Sequence, residues 1–291
     1  MSSQAPAPTS TRTTMVIEHR TTITYERPVT ASYNEVRMRP LTLPGQTVLE
    51  TDIAADPCTF RSEYRDYFGT AVLSFEALAP HTELGVLARA RVELSPLQGR
   101  SGGAGWETLR APDLQDRMTE FLMSTPTTRI PEDLQALATD AAATAAPAAA
   151  AEAVCLALRE QMEYVTGVTG VHTWAAEAWA ERKGVCQDLA HLAAGALRHL
   201  GIPTRYVSGY LHPSAETARV GETVAAESHA WVEYWCGDWF GFDPTNSIPT
   251  GPHHVIVGRG REYDDVAPLR GVVAGGGASR QQVQVDITIE G

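Results

Sequence analysis

Apolar and polar residues alternate with a period of two along the first third of the chain, most clearly at 86–94. There Val86, Ala88, Ala90, Val92 and Leu94 share one face while Arg89, Arg91 and Glu93 share the other, as in a strand buried on one side. Similar short runs, rich in Val, Ile, Thr, Tyr and Phe and broken by Pro, Gly and Asp, fill residues 15–94. Helical spacing is absent from them, so they predict an antiparallel β unit, a small sandwich or barrel. Residues 95–105 (SPLQGRSGGAG) combine Pro with four Gly and no periodicity, which reads as a linker.

The pattern then changes. Residues 131–162 are dominated by Ala, Leu and Glu, which favour helix, and Pro147 is placed to split or restart the run. The Ala-rich stretch 141–151 fits either a flexible connector or the start of a helix. The strongest helical signal is 186–200, where Leu189, Leu192, Ala193, Ala196, Leu197 and Leu200 fall on one face. Gly201 and Pro203 follow as stop signals. Strand-like runs come next at 204–211, 228–235, 239–243, 254–257 and 282–289, giving helices followed by an antiparallel sheet, an α+β arrangement. The expected division is a disordered tail at 1–13, an antiparallel β domain at 14–95, a connecting segment at 96–130 and an α+β domain at 131–291.

Charge and composition narrow the partners. With 43% hydrophobic and 20% charged residues, the 291-residue chain has the balance of a globular protein with a sizeable core. The net charge of -12, from 35 acidic and 23 basic residues, repels phosphate backbones and anionic lipid, which argues against nucleic acid and membrane surfaces. Residues 1–14 lack the unbroken apolar stretch of a secretory signal, and no later segment approaches the roughly 18 apolar residues of a membrane span. The expectation is a cytoplasmic protein. Cys58, Cys155, Cys186 and Cys236 lie far apart without a Cys-x-x-Cys pair, so free thiols are expected.

Cys186 opens the best helix in the chain, where unpaired N–H groups and the positive end of the dipole favour a thiolate. A nucleophilic thiolate needs a proton-carrying partner and a group to orient that partner. The runs at 228–235 and 239–243 supply both. If Trp235 lies opposite Trp239 around a turn at 236–238, His229 and Asp243 become diagonal neighbours on one face, within reach of an imidazole–carboxylate bond. Asp188 and His191, three apart on the helix, read as a simple pair at the surface or beside the site. The histidines and cysteines lack the close spacing of a structural zinc site. Gly258-Arg259-Gly260 and Gly275-Gly276-Gly277 read as turns, because no strand, Gly-rich loop and helix follow in the order a phosphate loop needs.

Four ordered blocks, Gly184-Val185-Cys186-Gln187-Asp188-Leu189-Ala190-His191, Gly201-Ile202-Pro203 through Leu211, Ser228-His229-Ala230-Trp231-Val232-Glu233 and Phe242-Asp243-Pro244-Thr245-Asn246, resemble bacterial transglutaminase-like proteins. Tyr25-Glu26-Arg27-Pro28-Val29, Arg37-Met38-Arg39-Pro40 and Asp66-Tyr67-Phe68-Gly69 resemble the β domain that precedes their catalytic domain. Thr70 and Glu262 depart from that pattern, which usually has Asn and Asp there. The resemblance implies a papain/transglutaminase-like core, helices packed on an antiparallel sheet, with Cys186 as nucleophile, His229 as proton carrier and Asp243 as orienting carboxylate. It implies cleavage or transfer at amide bonds through a thioester, in a cysteine peptidase or amidase or in a true transglutaminase. The substrate would be a peptide, a protein or a small amide, and no metal or organic cofactor is required. The open place is the side chain that joins backbone N–H groups in holding the oxyanion: Gln187, Trp174, Trp179 or Tyr164.

Overall fold

A computed structural model describes residues 12–96, 103–213 and 219–290. The tail expected at 1–13 lies, as far as residue 11, outside the described residues, as do residues 97–102 of the expected linker. Thr13 is already in strand.

The first sheet is organised by one long strand, β1 (Thr13–Val36). It is followed by β2 (Gln46–Asp56), β3 (Phe60–Arg65), β4 (Ala71–Ala77) and β5 (His81–Leu94), all antiparallel to their neighbours. The alternating face of β5 is inside as its pattern requires, with Val86, Ala88, Ala90, Val92 and Leu94 all buried. β5 runs along the first half of β1, and β4 along its end.

Residues 103–130 are more than a connection. They form three short helices, α1 (Trp106–Leu109), α2 (Pro112–Arg117) and α3 (Thr119–Leu122). Leu109 and Leu114 are fully buried in the main core of the second unit. The expected connecting segment is thus part of the α+β core: the apolar residues, spaced for single turns of helix, are too few to show a period. Two longer helices follow, α4 (Glu132–Ala142) and α5 (Pro147–Gln161). Pro147 restarts the chain as a first-turn residue of α5, where its missing N–H costs nothing. Next come β6 (Glu163–Tyr164), α6 (Ala175–Glu181), β7 (Lys183–Gly184) and α7 (Cys186–His199); β6 and β7 pair in parallel. α7 is stopped by Gly201, whose positive φ of 78° suits a residue without Cβ.

The second sheet is built from β8 (Thr204–Leu211), β10 (Ser228–Trp235), β11 (Trp239–Asp243), β12 (Ile248–Pro249) and β13 (His254–Gly260), in the order β12-β11-β10-β8-β13; β9 (Thr223–Ala226) precedes β10 in the chain but pairs elsewhere. Leu189, Leu192, Ala193, Ala196 and Leu197 of α7 pack on Tyr206, Ala230, Val232 and Tyr234 of this sheet. The chain ends with α8 (Tyr263–Val266), β14 (Leu269–Gly275) and β15 (Ser279–Ile289). Gly275, Gly276 and Gly277 all have positive φ and form the turn between the last two strands.

The C-terminal strand corrects the expected division. β15, read as part of the second sheet, pairs with β1 from Met15↔Ile289 to Tyr25↔Ser279, and β14 pairs with the end of β1. Val285, Ile287 and Ile289 are buried against Met15 and Ile17. Their alternation marks a half-buried strand but carries no information about its partner, and the open edge of β1 lies some two hundred and sixty residues upstream. β9 pairs with β15 in turn, so the first sheet also holds the segment leading into β10.

The two units are joined by shared core and polar crosslinks. Tyr210, Val255 and Val257 pack with Met15, Ile17 and Val92. The Gln46 side chain donates to Ile256 O (2.8 Å) and accepts from Ile256 N (2.8 Å). The buried His19 Nδ1 meets Tyr210 Oη at 2.9 Å. Gly258-Arg259-Gly260, expected as a turn, is the end of β13. Glycine serves close packing there: a Cβ on Gly260 would stand 2.4 Å from Asp265. No described helix is long and apolar enough to cross a membrane.

Candidate active site

Cys186 is the first residue of α7, so its backbone N–H has no acceptor within the helix. The turn before it is fixed by Asp188, which accepts hydrogen bonds from Val185 N (2.8 Å) and from the Thr169 hydroxyl (2.7 Å). Asp188 packs so closely that a Cβ on Gly184 would lie 2.7 Å from its carboxylate, which makes glycine necessary there. All four cysteines are free thiols. Cys155 and Cys236 are buried, and burial pushes Cys236 up to about 12 and raises Cys155 as well. Cys186 is half-buried and Cys58 exposed.

The hairpin register is the expected one. Trp235 faces Trp239 and Val232 faces Phe242. This sets His229 and Asp243 diagonally on one face, with His229 Nε2 2.7 Å from Asp243 Oδ2. The Cys186 thiol is near enough for its negative charge to act on the His229 ring. Burial disfavours the imidazolium, but the bond to Asp243 and the negative charges of Asp243 and Cys186 outweigh it and raise His229 to about 10.

Asp243 is fully buried, yet it stays a carboxylate. Burial pushes its pKa up, and the N–H groups around it bring it well below the ordinary range. Its Oδ1 accepts from the backbone of Thr245 (2.9 Å) and Asn246 (3.2 Å). Its Oδ2 accepts from His229, from Asn246 Nδ2 (2.7 Å) and from His254 Nε2 (3.3 Å).

A thiol at a helix start, an imidazole beside it and a carboxylate behind the imidazole form one contiguous row. Family comparison agrees with the sequence blocks that produce it. Residues 15–93 match the bacterial transglutaminase-like N-terminal region, and residues 135–244 match the transglutaminase-like superfamily. An uncharacterized protein of Mycobacterium leprae is 41% identical over 274 residues, covering 94% of this chain and 98% of its own. The chain belongs to the transglutaminase-like superfamily.

A solved structure of the same fold, described as a candidate cysteine protease from Cytophaga hutchinsonii, superposes with a TM-score of 0.74 at 21% identity, over 96% of this chain and 91% of that one. A protein-glutamine gamma-glutamyltransferase of Pseudomonas aeruginosa is 36% identical over 115 residues, which is 36% of this chain and 16% of that protein.

Within this transglutaminase-like site, the four side chains considered for the oxyanion separate. Gln187 Nε2 donates to Val171 O (3.1 Å), and Trp179 Nε1 donates to Asp133 Oδ2 (2.8 Å) under the Arg182 guanidinium. Trp174 is half-exposed at the start of α6. Tyr164 is held beside Gly184 by the β6–β7 pairing, close enough to Cys186 for the thiolate charge to act on its phenol, which burial first and then that charge hold above its ordinary value. Asp188 and His191, read as a pair, do not bond each other; His191 is buried and its Nε2 accepts the Tyr263 N–H (3.0 Å). Trp231 fills core, as its buried position on β10 requires. Glu262, one of the two departures from the family pattern, accepts the Thr125 hydroxyl, away from Cys186.

Sequence reasoning did not single out Asn246 or His254 for the site. Asn246 follows Asp243 by three and closes a turn on it, a common use of Asn. The available signal for His254 was its place at the start of the run 254–257: on an alternating strand, with Val255 and Val257 buried on one side, it is a polar residue that is itself buried.

Proposed function

We propose that the protein is a thiol-dependent amide hydrolase, a cysteine peptidase or amidase acting through a thioester. The observation that carries this reading is the group Cys186, His229 and Asp243, with the thiol at a helix start and a nearby imidazole held by a buried carboxylate. Cys186 Sγ attacks the amide carbonyl carbon and forms a C–S bond, while the carbonyl oxygen becomes an oxyanion. The Cys186 N–H would hold that oxyanion, and Tyr164, whose phenol feels the charge of the thiolate, is the side chain we favour to join it. On collapse the C–N bond breaks and His229 gives its proton to the departing amine. A water then attacks the thioester, loses a proton to His229, and releases a carboxylic acid and the Cys186 thiol.

Asp243 keeps the ring facing the thiol and stabilises the imidazolium. The same thioester consumed by a primary amine yields a new amide, the transglutaminase outcome. The 115-residue similarity to the Pseudomonas aeruginosa gamma-glutamyltransferase favours this as the second reading. Mass spectrometry of products from a glutamine-containing peptide, with and without added primary amine, separates the two. Acid product alone supports the hydrolase, and amine incorporation in excess of acid supports the transferase. Absence of both products, together with an unreactive Cys186, would leave a binding module that kept the fold.

A further inference from the structure

Asp243 Oδ2 serves two histidines at once. His229 reaches it from β10 at 2.7 Å, and His254 reaches it from the start of β13 at 3.3 Å. The rings are 6.5 Å apart between centroids, and each lies against Trp231, at 6.0 Å from His229 and 5.2 Å from His254. His254 is 6% exposed and is fixed at both nitrogens. The Gly251 backbone N–H donates to its Nδ1 at 3.2 Å. A nitrogen that accepts a hydrogen bond carries no proton, so the proton of the neutral ring is on Nε2, which donates it to Asp243.

We propose that His254 is a positioning residue of the site. As a neutral donor to the oxygen that holds His229, it governs how tightly Asp243 retains the proton on His229. The physical reason is electrostatic. The positive end of the His254 N–H dipole sits beside the same oxygen as the His229 imidazolium and opposes its charge, while also helping to keep the buried carboxylate ionised. Without it, Asp243 holds the imidazolium more firmly, and His229 releases its proton to the departing amine less readily. The backbone N–H groups of Thr245 and Asn246 already pin Oδ1, so the aim of the carboxylate survives loss of His254 while the charge at Oδ2 falls more fully to His229. The titratable groups that act on His229 and Asp243 are Cys186 from α7, His254 from β13, Tyr164 from β6 and the buried Cys155 from α5.

The turnover part of this inference rests on the hydrolase reading, but its first test does not. In the intact protein labelled with nitrogen-15 histidine, ring spectra should show His254 as the neutral tautomer protonated at Nε2; a proton on Nδ1 would overturn the proposal. His254→Phe removes the donor and His254→Gln supplies an amide N–H near the Nε2 position. The Phe variant should move the loss of the His229 proton to higher pH, and Gln should restore it. On a peptide amide cleaved by the wild type, Phe should lower kcat about tenfold with KM little changed, the effect of one hydrogen bond to a charged group. Iodoacetamide labelling of Cys186 needs no proton donation and should stay within about threefold of wild type. Equal loss of labelling and turnover, or a Gln variant that behaves as Phe, would reduce His254 to a structural residue. If the Phe variant fails to fold, the wild-type tautomer and the Gln variant decide. A wild type that cleaves no amide would count against the hydrolase reading and leave the tautomer and titration results standing.

Discussion

His229 Nε2 lies 2.7 Å from Asp243 Oδ2 across a hairpin whose turn is only three residues long. The two residues are fourteen apart in sequence, and the diagonal of the ladder alone brings them together. The carboxylate is completely buried and the ring nearly so, so their bond is stronger than it would be in water, and removing either partner leaves the other in a costly environment.

Asp243→Asn should keep the side-chain shape while removing the charge that holds the His229 proton. Turnover is expected to fall at least about a hundredfold, within the range of lost acid–base catalysis. The His229 ring should then titrate well below its wild-type value of about 10. Steady-state kinetics and histidine ring spectra check the two parts separately.

The pair should also be visible in stability against pH. Folded His229 holds its proton up to about 10, against an ordinary value of 6.5. A raised value means a contribution fully present below about pH 6.5 and lost as pH rises towards 10. Asp243 is depressed, so its contribution is present above its ordinary range, about 3.9, and is lost at lower pH. The stability difference between wild type and His229→Gln, from urea unfolding, is expected to be largest near pH 4 to 6.5 and to shrink towards pH 10. A difference that grows over that interval would contradict the assignment.

Gly209 of β8 stands directly opposite His229. A Cβ there would lie 2.0 Å from Val255 O and 2.7 Å from the Trp231 ring. Gly209→Ala should therefore push β13 and Trp231 away, displacing both imidazoles. The expected cost is about 1–3 kcal/mol, typical of overpacking, with a parallel loss of turnover; thermal unfolding and kinetics measure both.

The buried Glu233 lies 2.6 Å from the partly buried Arg205 and 2.7 Å from the partly buried Arg259, on the same face of the sheet as His229. Burial raises its pKa, and the two guanidinium groups more than reverse this and hold it low. Glu233→Gln leaves two cations facing a neutral amide, and a loss of about 3–5 kcal/mol is expected in denaturant unfolding. Such a loss with Cys186 labelling kept in the folded fraction would separate this cluster from the chemistry.

The sequence made legible those features that a local period or a short turn determines. Five of the six apolar residues marked on the helix at 186–200 are fully buried on α7, and the register around 236–238 follows from the turn length. The closure of the first sheet by β15 was hidden, because alternation at Val285, Ile287 and Ile289 fits any sheet with an open edge. The helices at 106–122 were hidden by their shortness. His254 was hidden because its role depends on β13 lying beside β8 and reaching back to Asp243, a contact between strands that are not neighbours in the sheet.

The central claim is that Cys186 is an activated nucleophile served by His229. Its most direct test is the rate of iodoacetamide alkylation of each cysteine between pH 5 and 9, read by mass spectrometry, in wild type and His229→Ala. Cys186 is expected to label ahead of Cys58 across this range, although Cys58 is the more exposed, with the advantage lost in the variant. Labelling of Cys186 no faster than Cys58, unchanged by His229→Ala, would contradict the claim.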